Sequence, residues 1–251
     1  MARALPNPSL WVMKKGAIML NNFDVIANSF TMRMRQQEVL ANNIANVNTV
    51  GFKKERVFQE ALSTAAGKEQ TEIVEATNYA QGAIRETANP FDLALEGEGF
   101  FVVQTEAGPA YTRNGHFHIN EDSQLSFDGD LPVLGENGPV YIKGDFVVNE
   151  QGEVVQNGAV VDKLQIVTFD RPYPLVKAGN SLYLAPEETN PSEMDAAFQV
   201  RQGFLEDSNV NPIEEMVNMM TLYRYMEADE KVMRAQDDRL NKAVNEIGNV
   251  L

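Results

Sequence analysis

Two histidines that lie two residues apart are the first candidates for chemistry in this chain. His116 and His118, in the stretch GHFHIN, are the only histidines among the 251 residues. On a β-strand they would share one face, where two imidazoles could bind a metal ion. A third ligand is not apparent in the sequence. We therefore interpret the pair as an exposed strand face beside a turn, with a metal site as the alternative.

An acidic loop and a glycine pair are weaker candidates, for calcium and for nucleotide binding. The stretch NEDSQLSFDGD, at residues 120–130, lacks the ligand spacing and the final bidentate glutamate of an EF-hand loop. The stretch GEGFF, at residues 97–101, has one Gly-x-Gly and no helix pattern after it. No Ser-His-Asp set can be argued, and the absence of cysteine excludes thiol chemistry and cysteine-bound zinc. The sequence therefore predicts no catalytic residue, no metal, no cofactor and no enzyme.

Composition also narrows the choice of partners. The formal net charge is −15, whereas nucleic acid and anionic membrane surfaces attract basic proteins. No apolar run approaches the length of a transmembrane helix. The stretch SLWVMKKGAIML is interrupted by Lys14 and Lys15 and lacks a small-residue cleavage site, so it does not predict a cleaved signal peptide. We expect neither nucleic-acid binding nor membrane insertion.

The middle of the chain has the pattern of an antiparallel β domain. Between residues 90 and 200, short runs such as FFVVQT and LQIVTF alternate with Asn-Gly and Asp-Gly turns. Residues 85–200 contain 19 acidic and 6 basic side chains, so this region carries −13 of the formal charge. The β domain is therefore the solvated part of the protein.

Both ends of the chain have helical spacing instead. Over residues 20–48 the apolar positions recur every three or four residues, with Arg33 and Gln37 as polar members and Gly51 placed to end the helix. Residues 211–248 begin with Asn211 as a cap and Pro212 at the first helical position. A methionine-rich stripe follows at Met219, Met226, Met233, Leu240 and Ile247, with a companion seam at Met216, Tyr223, Glu230, Asp237, Val244 and Leu251.

Two acidic residues in the companion seam bear on what the second helix contacts. A closed core would exclude the unpaired carboxylates of Glu230 and Asp237, whereas a subunit interface could pair them with a neighbour's Arg or Lys. The stripe also fits an ordinary helix core, and the end helices could pack on each other or on other copies. We favour an adaptable self-association face, because methionine tolerates several packing partners.

The stretch LANNIANVNTVGFKKE strongly resembles the N-terminal signature of the bacterial flagellar rod, hook and filament-junction family. That signature is Ala-Asn-Asn-x-Ala-Asn-x-x-Thr-x-Gly-Phe-Lys, and residues 41–53 match it without departure. The positions assigned to this assembly motif are Ala41, Asn42, Asn43, Ile44, Ala45, Asn46, Thr49, Gly51 and Phe52. The stretches from NPFDLALEGEGFFVVQT to LPVLGENGPV, and from QGFLEDSNVNP to the C-terminus, are similar to the family's β domain and C-terminal helix.

The resemblance implies an α+β fold, in which long N- and C-terminal helices form a coiled-coil pair beside a central antiparallel all-β domain. It implies a structural subunit of the basal-body rod, which polymerises through its terminal helices into a tubular drive shaft. The implied partners are other rod subunits, neighbouring axial proteins and the flagellar type III export apparatus. The single short β domain favours the proximal rod type over the distal type. Outside the rod function, the sequence leaves open a cell-wall-acting enzyme or a β-domain binding module.

The expected domain boundaries follow from these patterns. Residues 1–18 are a leader or a misassigned start, because family members usually begin near the position of Met19. An assembly helix over 19–50 and an extended linker over 51–85 come next. The β domain covers 86–205 and the C-terminal assembly helix covers 206–251. Asn28, Ser29 and Phe30 stand where family members commonly have Ser-Gly-Met, so the first helix departs from the family at these positions.

The asparagines of the motif prompt a separate hypothesis. Asn42 and Asn46 are four residues apart, so on a continuous helix they would share one face. A buried polar side chain can fix the register of a coiled coil. We therefore expect these two amides to bind a neighbouring subunit or the C-terminal helix, whereas Asn48 and Thr49 help to end the helix before Gly51.

Overall fold

The structure is a computed structural model that describes residues 28–63, 69–186, 189, 192–193 and 198–248. The predicted leader and the start of the first helix lie outside these residues. The chain divides into two compact units. Of the described residues, 28–44, those within 55–76 and 212–248 form the helical unit, and 45–54 and those within 77–211 form the β unit.

The described part of the helical unit contains two helices, except for the last residue of the first one, and one strand pair. Helix α1 covers residues 28–45, and helix α2 covers Pro212–Gly248. Strands β1 (Glu55–Ser63) and β2 (Glu69–Thr77) pair in a two-stranded sheet. Pro212 suits the first position of α2 because an N–H there would have no partner within the helix. Glu214 and Glu215 lie in the first turn, where their negative charges interact favourably with the positive end of the helix dipole.

Helix α1 ends earlier than the sequence suggested, at residue 45 and not 48. The helix ends there because Asn46 and Thr49 form a turn. The backbone N–H of Thr49 donates to the carbonyl of Asn46 at 3.1 Å, and the Thr49 hydroxyl donates to the side-chain oxygen of Asn46 at 3.1 Å. Asparagine and threonine offer the backbone this alternative to helical hydrogen bonds.

The segment expected as an extended linker, residues 51–85, is structured differently. It contains β1, β2 and the first two residues of a third strand, and residues 51–54 are buried. The strand pair is difficult to predict from the sequence because β1 and β2 contain five glutamates among eighteen residues. That composition is unusual for strands.

The β unit holds the remaining strands, and all their pairings are antiparallel, as predicted. They are β3 (Ile84–Glu86), β4 (Leu93–Gly97), β5 (Phe100–Thr105), β6 (Gly108–Thr112), β7 (His118–Ile119), β8 (Leu125–Phe127), β9 (Leu131–Pro132), β10 (Leu134–Gly135), β11 (Gly138–Pro139), β12 (Phe146–Val148), β13 (Glu153–Gln156), β14 (Ala159–Lys163), β15 (Ile166–Thr168), β16 (Val176–Gly179), β17 (Leu182–Leu184), β18 (Ser192–Glu193), β19 (Phe198–Gln202) and β20 (Phe204–Glu206).

The largest sheet of the β unit has the strand order β16-β17-β6-β5-β15-β18. Alternate residues of β5 point to two different cores. Phe101 and Val103 join a large aliphatic and aromatic cluster, whereas Phe100 and Val102 join a second cluster rich in aromatic rings. Two-sided burial explains why FFVVQT is an almost continuous apolar run.

The last strands of the β unit close it against its beginning. Strand β19 pairs with β4, and β20 pairs with β3, so that Leu205 lies opposite Arg85. The β unit therefore extends beyond the predicted boundaries of 86 and 205 at both ends. Among the described residues, no helix is long and apolar enough to cross a membrane.

A fragment of residues 45–211 should unfold in one cooperative urea transition, whereas a fragment of residues 86–205 should not. The shorter fragment lacks most of β3, the end of β20 and the buried segment 51–54. Circular dichroism across a urea series would compare the two. Equal transition midpoints would show that the β unit does not need the segments outside 86–205.

Candidate assembly site

The assembly motif divides between the two units at its middle. Its residues up to Ile44 belong to the helical unit, and those from Ala45 onward belong to the β unit. Asn43, Gly51, Phe52 and Lys53 are buried, whereas Ala41, Asn42 and Ala45 are exposed. Most of the signature thus has contacts inside the chain, and each half needs its own description.

Asn43 is the buried amide of the helical half. Its side-chain oxygen accepts a hydrogen bond from the backbone N–H of Glu55 at 3.0 Å, and its side-chain nitrogen donates to the Glu55 carbonyl at 2.9 Å. The same nitrogen lies 3.4 Å from the carboxylate of Glu215 on α2. Asn43 therefore joins α1, β1 and α2, and it pairs with β1 as a neighbouring strand would.

The two asparagines that were expected to fix register have different surroundings. Asn42 is exposed on α1, and Asn46 lies beyond the last helical residue, in the turn with Thr49. They do not share a helical face, because α1 ends at residue 45. Their role in register stays a prediction. Asn43, which was predicted as part of the assembly motif but not as a register residue, is the amide of the motif that contacts α2.

Gly51 and Phe52 hold the second half of the motif in the β unit. Gly51 has a φ of +66°, and a Cβ there would lie 2.4 Å from the backbone nitrogen of Asn114. Its N–H donates to the Glu206 carbonyl at 2.7 Å. The Lys177 ammonium lies 4.2 Å from the centre of the buried Phe52 ring and donates to the Lys53 carbonyl at 2.9 Å. Only glycine fits this close approach without strain.

A buried charge cluster follows directly on the motif. The Lys53 ammonium lies 2.5 Å from one carboxylate oxygen of Glu206, and the Arg113 guanidinium lies 3.3 Å from the other. All three side chains are at most 5% exposed. Lys53 also donates to the Ala80 carbonyl, and Gly82 donates its N–H to Glu206. The single carboxylate thus has two cations and a backbone donor.

Electrostatics make this cluster dependent on all its members. Burial lowers the pKa of Lys53, and the Glu206 carboxylate acts in the opposite direction. Burial likewise lowers the pKa of Arg113, again against the attraction of Glu206. Removing the carboxylate would leave two buried cations, which is far more costly than losing an exposed ion pair.

Asn209 links three chain segments at the same end of the β unit. Its side-chain oxygen accepts from the Lys54 N–H at 2.7 Å, and its nitrogen donates to the carbonyls of Asn78 and Ala80 at 2.8 and 2.9 Å. Neither Asn209 nor Glu206 was predicted as a site residue. Polar residues just ahead of a helix suggest caps and solvent, and nothing local shows that their partners lie about 150 residues away.

The methionine stripe of α2 partly faces the interior of the helical unit, and its role in self-association stays a prediction. Met219, Met226 and Met233 are half-buried, but Leu240 is 44% exposed. The side chains of Val244 and Ile247 lie outside the described part of the structure. The companion seam is one residue earlier than predicted. It consists of Glu215, Leu222, Asp229 and Gln236, whereas Met216, Tyr223, Glu230 and Asp237 are exposed.

Helix α1 supplies polar partners both for this interior seam and for Tyr223 of the predicted one. The Arg33 guanidinium lies 2.6 Å from the Asp229 carboxylate, and its carbon lies 4.8 Å from the Tyr225 ring centre. Gln37 donates to the Tyr223 hydroxyl at 3.2 Å. Together with the contact between Asn43 and Glu215, these pairs run in opposite directions along the two helices. The helices are therefore antiparallel where they touch.

The histidines have carboxylate neighbours and no shared ligand. His116 Nδ1 lies 2.7 Å from Asp92, and His118 Nε2 lies 2.9 Å from Asp130. Both imidazoles are substantially exposed. Within the described residues, no three histidine or carboxylate side chains are grouped so that they could hold a metal ion.

Three family models match the chain in order. A flagella basal body rod protein model matches residues 31–53, a flagellar hook protein FlgE/F/G D1 domain model matches 94–154, and a flagellar basal body rod FlgEFG C-terminal model matches 201–246. The flagellar basal-body rod protein FlgF of Caulobacter vibrioides is 32% identical over 90% of this chain and 96% of its own length. The chain belongs to the flagellar basal-body rod protein family.

Other members of the rod family give the same result. FlgF of Mesorhizobium japonicum is 31% identical over 85% of this chain and 92% of its own length. FlgG of Bacillus subtilis is 32% identical over 83% of this chain and 92% of its own length. Each of the three family models also contributes one residue to the charge cluster: Lys53, Arg113 and Glu206. The cluster is where the three segments of this rod-family chain meet.

Replacing Glu206 with Gln should destabilise the β unit by about 3–5 kcal/mol, because Lys53 and Arg113 would remain buried without a counter-charge. Urea denaturation followed by near-ultraviolet circular dichroism would measure the change. Asp207→Asn is the matched control, since its pair with Arg85 is exposed and should contribute less than about 1 kcal/mol. Equal losses in the two variants would contradict a special dependence on the Glu206 charge.

Replacing Asn43 with Ala should destabilise the helical unit by about 1–3 kcal/mol, because the part-buried backbone groups of Glu55 lose the fully buried Asn43 amide as their partner. Hydrogen exchange of the Glu55 amide should become faster. Asn42→Ala, at the exposed neighbour, should leave that amide protected. If the two variants exchanged alike, Asn43 would not be the joint between α1 and β1.

Proposed function

We propose that this chain is a structural subunit of the flagellar basal-body rod, of the proximal type, and that it carries out no chemistry. The observation that supports this best is the nearly complete match to FlgF proteins, which extends over 92–96% of their length. The buried polar groups of the motif are used to join segments of the same chain. A structural role requires that kind of site.

The lengths of the alignments favour the proximal type over the distal one. The match with Caulobacter FlgF spans 238 positions and covers 90% of this chain. The match with FlgG of Buchnera aphidicola subsp. Acyrthosiphon pisum is longer, at 272 positions. It nevertheless covers a similar share of this chain, 94%. Most of the extra positions are therefore insertions that this chain lacks. This agrees with a single short β unit, and a distal rod subunit remains the alternative.

In this proposal, α1 and α2 pair as a coiled coil, and the helical unit is the part that polymerises. The interior positions of α2 recur at alternating steps of four and three residues from Glu215 to Gln236. That 3.5-residue period is the period of coiled-coil packing. The partners are other rod subunits and neighbouring axial proteins. Contacts between different faces of successive subunits do not close, and they generate filaments.

The proposed location is the periplasmic rod of the basal body. The chain would reach it through the flagellar type III export apparatus, without a cleaved signal, and the acidic β unit would face outward. The resemblance of residues 41–53 to the family signature supports this route. The charge of −13 on residues 85–200 supports an outward, solvated position for the β unit.

Deleting the gene should abolish flagella and motility, and the full chain supplied in trans should restore both. Chains that lack residues 28–44 or 212–248 should not restore them, because the helices that polymerise are missing. Electron microscopy of basal bodies and swimming assays are the measurements. A chain with His116→Ala and His118→Ala is the control and should complement fully. Normal flagella in the deletion strain would overturn the proposal.

A further inference from the structure

The three-stranded sheet β12-β13-β14 carries apolar side chains on both of its faces. Each of its strands contains two consecutive valines. Val148 and Val154 lie in the main core of the β unit. Val147 is paired with Val155, and Val155 with Val160, so these three side chains form a row across the opposite face of the sheet. We name this row the valine face.

The valine face is open to solvent in the single chain. Val147 and Val160 are 60% and 58% exposed, and Val155 between them is half-buried. An antiparallel sheet normally presents polar side chains to water on its free face. Scattered exposed valines need no explanation, but a contiguous apolar surface is typical of a binding site. The valine face is therefore a candidate binding surface.

The surroundings of the valine face are acidic. Residues 144–162 contain four acidic side chains and no basic one: Asp145, Glu150, Glu153 and Asp162. A second copy of the same surface would bring like charges together, and such a juxtaposition opposes binding. The occupant that this surface favours is therefore both apolar and positively charged.

The predicted leader, residues 1–18, has that combination. It contains three basic side chains and no acidic one, so its formal charge is +3. The run Leu10–Met13 consists of large apolar side chains, among them Trp11, and Lys14 and Lys15 follow it directly. No other stretch outside the described residues combines basic with large apolar side chains.

We propose that the leader binds the valine face of its own chain, with Leu10–Met13 on the valines and the two lysines against the acidic rim. Residues 16–27 connect this run to α1 and can span up to about 40 Å when extended. The first residue of α1 lies about 27 Å from its last residue, where the β unit begins. The connection is longer than the helix, and joining both partners in one chain raises their effective concentration. The inference goes beyond the proposed function, which does not depend on the leader.

Trp11 is the only tryptophan of the chain, so tryptophan fluorescence reports on the leader alone. In the full-length monomer its emission should lie at a shorter wavelength than that of free tryptophan. Acrylamide should quench it roughly threefold less than in Val160→Lys, because that variant removes an apolar contact and repels the leader's lysines. Val176→Lys is the matched control, since Val176 is 62% exposed on β16 of another sheet. It should leave the emission unchanged.

A second measurement does not require a substitution. Deleting residues 1–18 should increase the fluorescence of the apolar dye ANS bound to the monomer roughly twofold, because the valine face becomes open. Unchanged dye binding would overturn the inference, as would solvent-like Trp11 emission or equal quenching in the two lysine variants. Protection that disappears on dilution would show binding to another copy and would contradict it as well. Native chains that begin at Met19 would also overturn it. The rod function would stand in each case, since the deletion strain tests it separately.

Discussion

One buried carboxylate of the β unit joins four segments of the chain. Glu206 forms ion pairs with both Lys53 and Arg113, accepts a hydrogen bond from the N–H of Gly82, and accepts another at its backbone carbonyl from the N–H of Gly51. A buried ion pair is not by itself a strong source of stability, because desolvation offsets much of the attraction. It does make every alternative arrangement unfavourable, since any misplaced segment leaves a buried charge without a partner. The β unit is therefore specified as much by charge as by apolar packing.

The helical unit uses polar groups in a similar way. Its seam alternates methionine and leucine with Glu215, Asp229 and Gln236, and α1 provides Arg33 and Asn43 opposite two of them. Methionine alone would permit several registers, because its flexible side chain adapts to different neighbours. The polar pairs remove that freedom. In the same helix, the methionines thus provide adaptable packing, and the polar residues of the seam fix the register.

Much of the architecture is readable from the sequence because it depends on local patterns. Turn residues between short apolar runs predict the antiparallel β unit, and the cap of α2 predicts its first residue. The strand pair β1–β2 was not predicted because five glutamates among its eighteen residues contradict β-propensity. The shifted seam of α2 was missed because Met216 and Tyr223 are more apolar than Glu215 and Asp229.

The candidate site was predicted only in part, for a different physical reason. Motif spacing located residues 41–53, but Lys53 and Lys54 are buried against Glu206 and Asn209, and such long-range pairing of single polar residues leaves no local pattern.

The separation of these partners has a kinetic consequence. Lys53 and Glu206 are 153 residues apart, and Asn43 and Glu215 are 172 apart. A chain that closes such long loops must lose the entropy of loop closure before the contacts form, and folding slows as the mean separation of contacts grows. Neither unit can complete its buried polar network until the last fifth of the chain is available. The buried polar network of each unit therefore forms only when that last fifth of the chain has joined the earlier segments.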